Sequence, residues 1–178
     1  MSRQTPSQTV GPYFAYGLVP EQYGFDLKSA FPGRLIEPDD PAPRVTITGR
    51  VLDGDGEPIH DAMLEFWLER DGAAPAMCRI GTGTDPQFRY IVDLPRPKAA
   101  DPGDAPHADI IVMARGMLLH AITRVYFGDE EQANAADRTL NAVAPARRPT
   151  LIARPLSPQH YHFDIRLQGS DETVFFEL

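Results

Sequence analysis

Histidines, carboxylates and one strand-end arginine are the residues of this chain that could do chemistry. His160-Tyr-His162 places two imidazoles on one face of an extended segment, about 7 Å apart at a rise of about 3.4 Å per residue. Metals use such pairs, but a site needs two more ligands and partners behind them. The opposite phase (Tyr161, Phe163, Ile165, Leu167) is apolar, so both histidines are expected to face outward, toward solvent or a partner. His107-Ala-Asp109 opens an otherwise apolar segment. A carboxylate there requires a partner. The pattern fits either a structural hydrogen-bond network or half of a metal site. Arg115, in Ala114-Arg-Gly116, ends the same segment, and its planar fork suits a carboxylate. Spacing alone favours a salt bridge for it. Asp53-x-Asp55 opens like a calcium loop but carries Pro58 and Leu64 where glycine and a bidentate glutamate are needed, so it is expected to be a hairpin turn. Gly81-Thr-Gly83 is too short to cradle a phosphate and is expected to be loop.

The elements that must position these groups are short strands. From Val45 the period is two: Val45, Ile47, Gly49 and Val51 alternate with polar residues. Leu64-Phe66-Leu68 and Phe88-Tyr90-Val92 repeat the pattern, and Ala108–Ala114 is apolar on both faces, as a central strand would be. A further run covers 117–127. Tyr161–Leu167 alternates again, and Thr173–Phe176 closes the chain. One helix is predicted over Asp129–Leu140, acidic at its start and with Arg138 late. Short strands, turn signals and one short helix predict an all-β fold, a β-sandwich spanning 45–178, with long loops.

Residues 1–44 carry seven prolines and six aromatics without periodicity. They are expected to form an ordered N-terminal arm, with loops, that buries its rings against a surface, either this domain or a partner chain.

Composition narrows the function classes. The chain has 178 residues, a formal net charge of −8 and a single cysteine, Cys78. Proline reaches 18 residues, about twice the usual share, which suits structured loops rather than a bundle. The acidic balance argues against a nucleic-acid or anionic-membrane partner. Anionic small molecules stay open, since one or two local arginines suffice for them. No apolar leader and no spanning run is visible, which predicts a soluble, cytoplasmic protein.

Several stretches together resemble the alpha-chain family of the protocatechuate 3,4-dioxygenases, intradiol ring-cleavage enzymes. They are Thr5–Tyr13, Val51–Gly56, Ala105–Asp109, Val112–Gly116, Thr123–Asn134, Phe163–Gly169 and Glu172–Phe176. The resemblance implies a homologous beta chain that binds a non-haem Fe(III) with two tyrosines and two histidines, the latter as His-x-His at the start of a central strand. Here that position reads His107-Ala-Asp109, and the stretch from Leu94 to His107 has no tyrosine. A site without tyrosinate and imidazole donors would not hold Fe(III) in the family's manner. This chain is therefore expected to bind no metal of its own and to carry no catalytic residue.

The resemblance further implies a substrate cleft shared with the beta chain in a higher-order αβ oligomer. This chain would contribute Thr9, Gly11, Pro12 and Tyr13 from the arm and Arg115 from the strand end. The implied reaction is cleavage of protocatechuate, a catecholic acid, by O2 to 3-carboxy-cis,cis-muconate in the beta-ketoadipate pathway of aromatic catabolism. Two other classes compete with it: a non-enzymatic binding or scaffold module of the same fold, and a self-sufficient metalloenzyme using His107, Asp109 or His160 and His162.

Overall fold

A computed structural model describes residues 11–177 apart from 12, 38, 40, 42, 71, 72, 84 and 100. Nine strands carry the fold: β1 (Arg44–Leu52), β2 (Met63–Arg70), β3 (Ala73–Gly81), β4 (Arg89–Pro95), β5 (His107–Met113), β6 (Ala121–Phe127), β7 (Ile152–Ser157), β8 (His160–His162) and β9 (Ile165–Arg166). Three short helices accompany them: α1 (Phe14–Leu18), α2 (Glu131–Ala136) and α3 (Arg138–Ala142).

The strands run in the order β3-β2-β5-β6-β7-β8-β1-β4, with β9 also on β1. β3, β2, β5 and β6 pair antiparallel in one layer, and β4, β1, β8 and β9 make the other. β7 joins the two, parallel to β6 and antiparallel to β8. One core lies between the layers, where the inward phases of the strands meet. Phe66 faces Tyr90 with ring centroids 5.7 Å apart, and Phe127 meets Tyr161 edge-on at 5.0 Å. The expected sandwich is present. β5 is central between β2 and β6, as its two-sided apolar pattern predicts.

Several boundaries differ from expectation. Phe88 does not extend the third strand: its φ of 56° is left-handed and β4 begins one residue later. In the 117–127 run only Ala121–Phe127 pairs, and the residues before it form the β5–β6 loop. The strand expected over 161–167 divides into β8 and β9, because the Asp164 carboxylate accepts the Arg50 backbone N–H at 2.9 Å and so interrupts the ladder. The helix expected over 129–140 breaks at Asp137, which is extended (φ −65°, ψ 126°). Its buried carboxylate accepts from the N–H groups of Leu140 (2.6 Å) and Ala105 (2.8 Å) and from the Tyr126 hydroxyl (3.1 Å). It caps α3 and cannot also continue α2.

Gly49 is required where the layers approach. A Cβ there would strike the Phe163 carbonyl and the Tyr90 hydroxyl, which hydrogen-bond to each other across it. The two prolines on outer strands, Pro75 in β3 and Pro95 in β4, sit at the ends of the strand order, where a missing donor is tolerated.

The described part of the arm lies on this chain's own sandwich. Ala15 and Val19 are buried with Met63, and Phe14, Tyr23 and Met113 pack around them. Gln22 bonds both the Arg79 carbonyl (3.1 Å) and the Gly81 N–H (2.7 Å). The outer face of the arm keeps Tyr13, Phe25, Leu27 and Phe31 exposed.

Candidate shared substrate cleft

Arg115 stands where β5 turns out of the sheet, ahead of Gly116, whose φ of 85° makes the turn. Its Nε meets the Asp61 Oδ2 at 2.9 Å, with side-chain exposures of 48% for Arg115 and 3% for Asp61. Its Nη2 lies 3.0 Å from the His60 Nε2. The salt bridge favoured by spacing is therefore present. It fixes the guanidinium from one side and leaves the other side to solvent.

The arm reaches the same end of the sandwich. Tyr13, 78% exposed, lies 6.0 Å from Tyr16, and Tyr16 lies 4.4 Å edge-on from Tyr23. Tyr23 is slotted against two glycines: a Cβ at Gly81 would come within 2.9 Å of its hydroxyl, and one at Gly83 would overlap its ring. Burial pushes the Tyr23 phenol up to about 12, opposed by the Gly83 N–H and helped by the charges of Tyr16 and Asp61. The phenol is thus neutral at physiological pH. Met113, two residues before Arg115, packs on the same cluster as Phe14. Phe14 thus packs at the paired ends of β2 and β5, where Met63 stands opposite Met113. Gly11 is exposed, with its carbonyl accepting the Phe14 N–H at 3.4 Å. Thr9 and Pro12 lie outside the described residues.

The His107-Ala-Asp109 position does not fit Fe(III). His107 is buried, its Nδ1 2.8 Å from the Ala105 carbonyl. Asp109 holds the Arg124 Nε at 2.7 Å, so a fixed cation already occupies its carboxylate. The nearby phenol, Tyr126, donates to the buried Asp137 carboxylate at 3.1 Å and so is committed to a partner of its own. Among the described residues no group of three His, Cys, Asp or Glu side chains could hold a metal. The partner that Asp109 requires is Arg124 in the neighbouring strand, not His107.

His160 and His162 are half-buried and turn to different partners. His160 Nε2 lies 2.8 Å from the Thr48 hydroxyl, and His162 Nε2 lies 3.1 Å from Asp164. Asp53 Oδ1 accepts the N–H groups of Asp55 and Glu57, both at 2.9 Å, and so forms the expected turn.

Sequence reasoning missed His60 and Asp61, the groups that hold Arg115. They lie in the turn before β2, and no periodicity or motif marks them. It also missed β3 and β7: β7 is short and interrupted by Pro155, and Pro75 stands inside β3.

No protein-family model matches the chain. Curated relatives do, and two of them match over nearly the whole of both chains. The protocatechuate 3,4-dioxygenase alpha chain of Burkholderia cepacia is 50% identical, over 99% of this chain and 98% of its own. The protein of the same name from Pseudomonas putida is 37% identical, over 98% and 96%. Among solved structures, the dioxygenase domain of a carbohydrate-binding fusion protein from Streptomyces sp. SirexAA-E aligns with a TM-score of 0.57 at 19% identity, covering 93% of this chain and all of that one. An intradiol ring-cleavage dioxygenase from Tetranychus urticae gives 0.58 at 16% identity, over 83% and 92%. These distant structures share the fold. Identity of one half across nearly the whole of both chains goes further: the chain belongs to the family of protocatechuate 3,4-dioxygenase alpha chains.

Proposed function

We propose that this chain is the non-iron-binding alpha subunit of a protocatechuate 3,4-dioxygenase, an oxidoreductase, and that it forms part of the substrate cleft of a homologous iron-bearing beta chain. In the assembled enzyme the non-haem Fe(III) supplies the oxygen chemistry that opens the catechol ring to 3-carboxy-cis,cis-muconate. The observation that carries the proposal is the full-length 50% identity to a chain of that name. The poor fit of His107, Asp109 and Arg124 to Fe(III) supports putting the metal in the partner.

The chain's own contribution is binding and orientation. The substrate is a carboxylate, and the protein is acidic. A local cation must offset that repulsion, and Arg115 supplies one, with its free edge toward solvent and its aim set by Asp61. Thr9, Gly11, Pro12 and Tyr13 are the arm's contribution to the cleft in this reading, and of these Gly11 and Tyr13 are among the described residues. The exposed aromatic and aliphatic face of the arm, together with Leu118 and Leu119 in the β5–β6 loop, is the surface the beta chain covers, within a larger αβ oligomer. A cytoplasmic setting suits the lone, buried thiol of Cys78. No helix among the described residues is long and apolar enough to cross a membrane.

Purification of the native complex tests the proposal. A second homologous chain, one iron per pair and ring cleavage of protocatechuate are expected. A chain that purifies without such a partner, or a complex without activity, would point instead to a scaffold module. Iron held by this chain alone would point to a self-sufficient metalloenzyme.

A further inference from the structure

A groove away from Arg115 lies where α3 and the C-terminal segment cover the outer face of β5 and β6. It has a volume of about 780 Å³ and is largely open to solvent. Arg124, Arg138 and Arg147 line it against the single carboxylate of Asp104, and Val143 and Phe176 supply apolar wall. In a chain of net charge −8 this is a local excess of cation.

The three arginines are engaged to different degrees. Arg124 is neutralised by Asp109 at 2.7 Å. Arg138 touches Asp104 at 3.2 Å with a side chain 71% exposed, a contact of little strength. Arg147 donates its Nη2 to the Glu172 carbonyl at 2.6 Å, which fixes the guanidinium without cancelling its charge. Its Nε is buried and has no hydrogen-bond partner. Among the described residues no carboxylate lies within ion-pair distance of Arg147. Arg147 lines the cavity, so its uncancelled charge stands beside the space that an incoming carboxylate would enter. An adjoining cavity of about 420 Å³ shares Arg124, Thr139 and Phe176 with the first; Trp67, Ile111 and Ile122 give it an apolar wall, and the carboxylates of Glu69, Asp109 and Glu177 lie on its rim, which confines an acid's carboxylate to the Arg138 and Arg147 end.

We propose that this paired cavity binds a small carboxylic acid, its carboxylate on Arg147 and Arg138 and its hydrocarbon body along Phe176 toward Trp67. The site is separate from the cleft at Arg115 and does not depend on the reading of that cleft. Two sources share this chemistry: an aromatic acid such as the substrate, and an open-chain dicarboxylate such as the ring-opened product.

Calorimetric titration of the chain in its native complex tests it, with 4-hydroxybenzoate and adipate as probes and the visible iron band recorded alongside. One equivalent of probe per chain that leaves the iron band unchanged is expected. Arg138→Glu, on an exposed side chain, should weaken that equivalent at least tenfold. Arg147→Lys, which keeps the charge but loses the fork, should weaken it several-fold. Tighter binding of 4-hydroxybenzoate assigns the aromatic acid as the source, and tighter binding of adipate assigns the diacid. Absence of an iron-silent equivalent for both probes, or binding unaltered in Arg138→Glu, overturns the proposal. Iron content and ring-cleavage activity of the same preparation report on the alpha-subunit reading independently.

Discussion

Arg115 is held at 2.9 Å by Asp61, and the two partners differ sharply in burial: 48% of the arginine side chain is exposed and 3% of the aspartate. The Asp61 Oδ1 is buried with no hydrogen-bond partner. The buried carboxylate thus depends on the arginine for compensation, while the arginine keeps donors free. A residue so placed can be structural and substrate-binding at once, and the two roles separate by experiment.

Arg115→Ala is expected to raise KM for protocatechuate by tens-fold, the loss of a charge-assisted hydrogen bond of roughly 1.5–3 kcal/mol. Activity on catechol, which has no carboxylate, should change much less. The same variant strands Asp61, so thermal stability should fall as well, by about 1–2 kcal/mol after discounting for the exposure of the pair. Asp61→Asn should lower stability and raise KM modestly while sparing kcat, because it loosens the aim of Arg115 without removing it. Steady-state kinetics on both substrates, with calorimetric melting, check this. Equal losses on the two substrates would reduce Arg115 to a structural brace.

Metal content follows from the Asp109–Arg124 pair. The purified chain is expected to hold no stoichiometric iron. Asp109→His alone should not create a site, because the Arg124 guanidinium would then face an imidazole and repel a trivalent ion. Metal analysis and a visible spectrum of both proteins check it. A full equivalent of iron with tyrosinate colour in either would refute the account.

The sandwich was legible because its inward residues alternate: Val45, Ile47 and Val51 in β1 and Ala108, Ile110 and Val112 in β5 are all buried. Failures fell where a side chain overrides local propensity. Asp137 divides the helix, Asp164 divides the last long strand, and Pro75 hides β3, all through contacts remote in sequence or through edge position. In the cleft, Arg115 was visible as a strand-end cation beside glycine. Asp61 was not, because an aspartate in a polar turn carries no sign of its burial. The arm was read as needing a surface for its rings. Its inner face finds that surface on Met63 and the Gly81–Gly83 segment of the same chain.

Exposed apolar side chains cluster on the arm and on the β5–β6 loop: Tyr13, Phe25 and Leu27 on the first, Leu118 (76%) and Leu119 (63%) on the second. The chain without its partner is expected to self-associate, since such patches seek cover. Leu118→Glu with Leu119→Glu should keep the lone chain monomeric and weaken its assembly with the beta chain by at least tenfold. Sedimentation velocity of the lone chain and of the mixture checks both. Unaltered assembly by the double variant would remove this loop from the interface.

Alkaline pH should unfold the chain through its phenols. Burial pushes Tyr23 and Tyr126 up to about 12 and Tyr90 well above the ordinary value, with the Asp164 charge adding to the effect on Tyr90. An unfolded tyrosine ionises near 10. Each of these groups is protonated in the native chain over a range where the unfolded chain has lost the proton, so its contribution to stability is whole below about pH 10 and shrinks above it, for Tyr23 and Tyr126 up to about pH 12. The geometry gives each ionisation a structural cost. A Tyr90 phenolate could no longer donate to the Phe163 carbonyl across Gly49, which braces the two layers. A Tyr126 phenolate would face the Asp137 carboxylate that caps α3. Ultraviolet difference titration followed together with circular dichroism should show these phenols appearing only as the β signal is lost, in one transition above pH 10. Tyr126→Phe, which removes one buried ionisable group, should move that transition to higher pH. Titration of all six tyrosines near pH 10 with the fold intact would contradict the buried assignments.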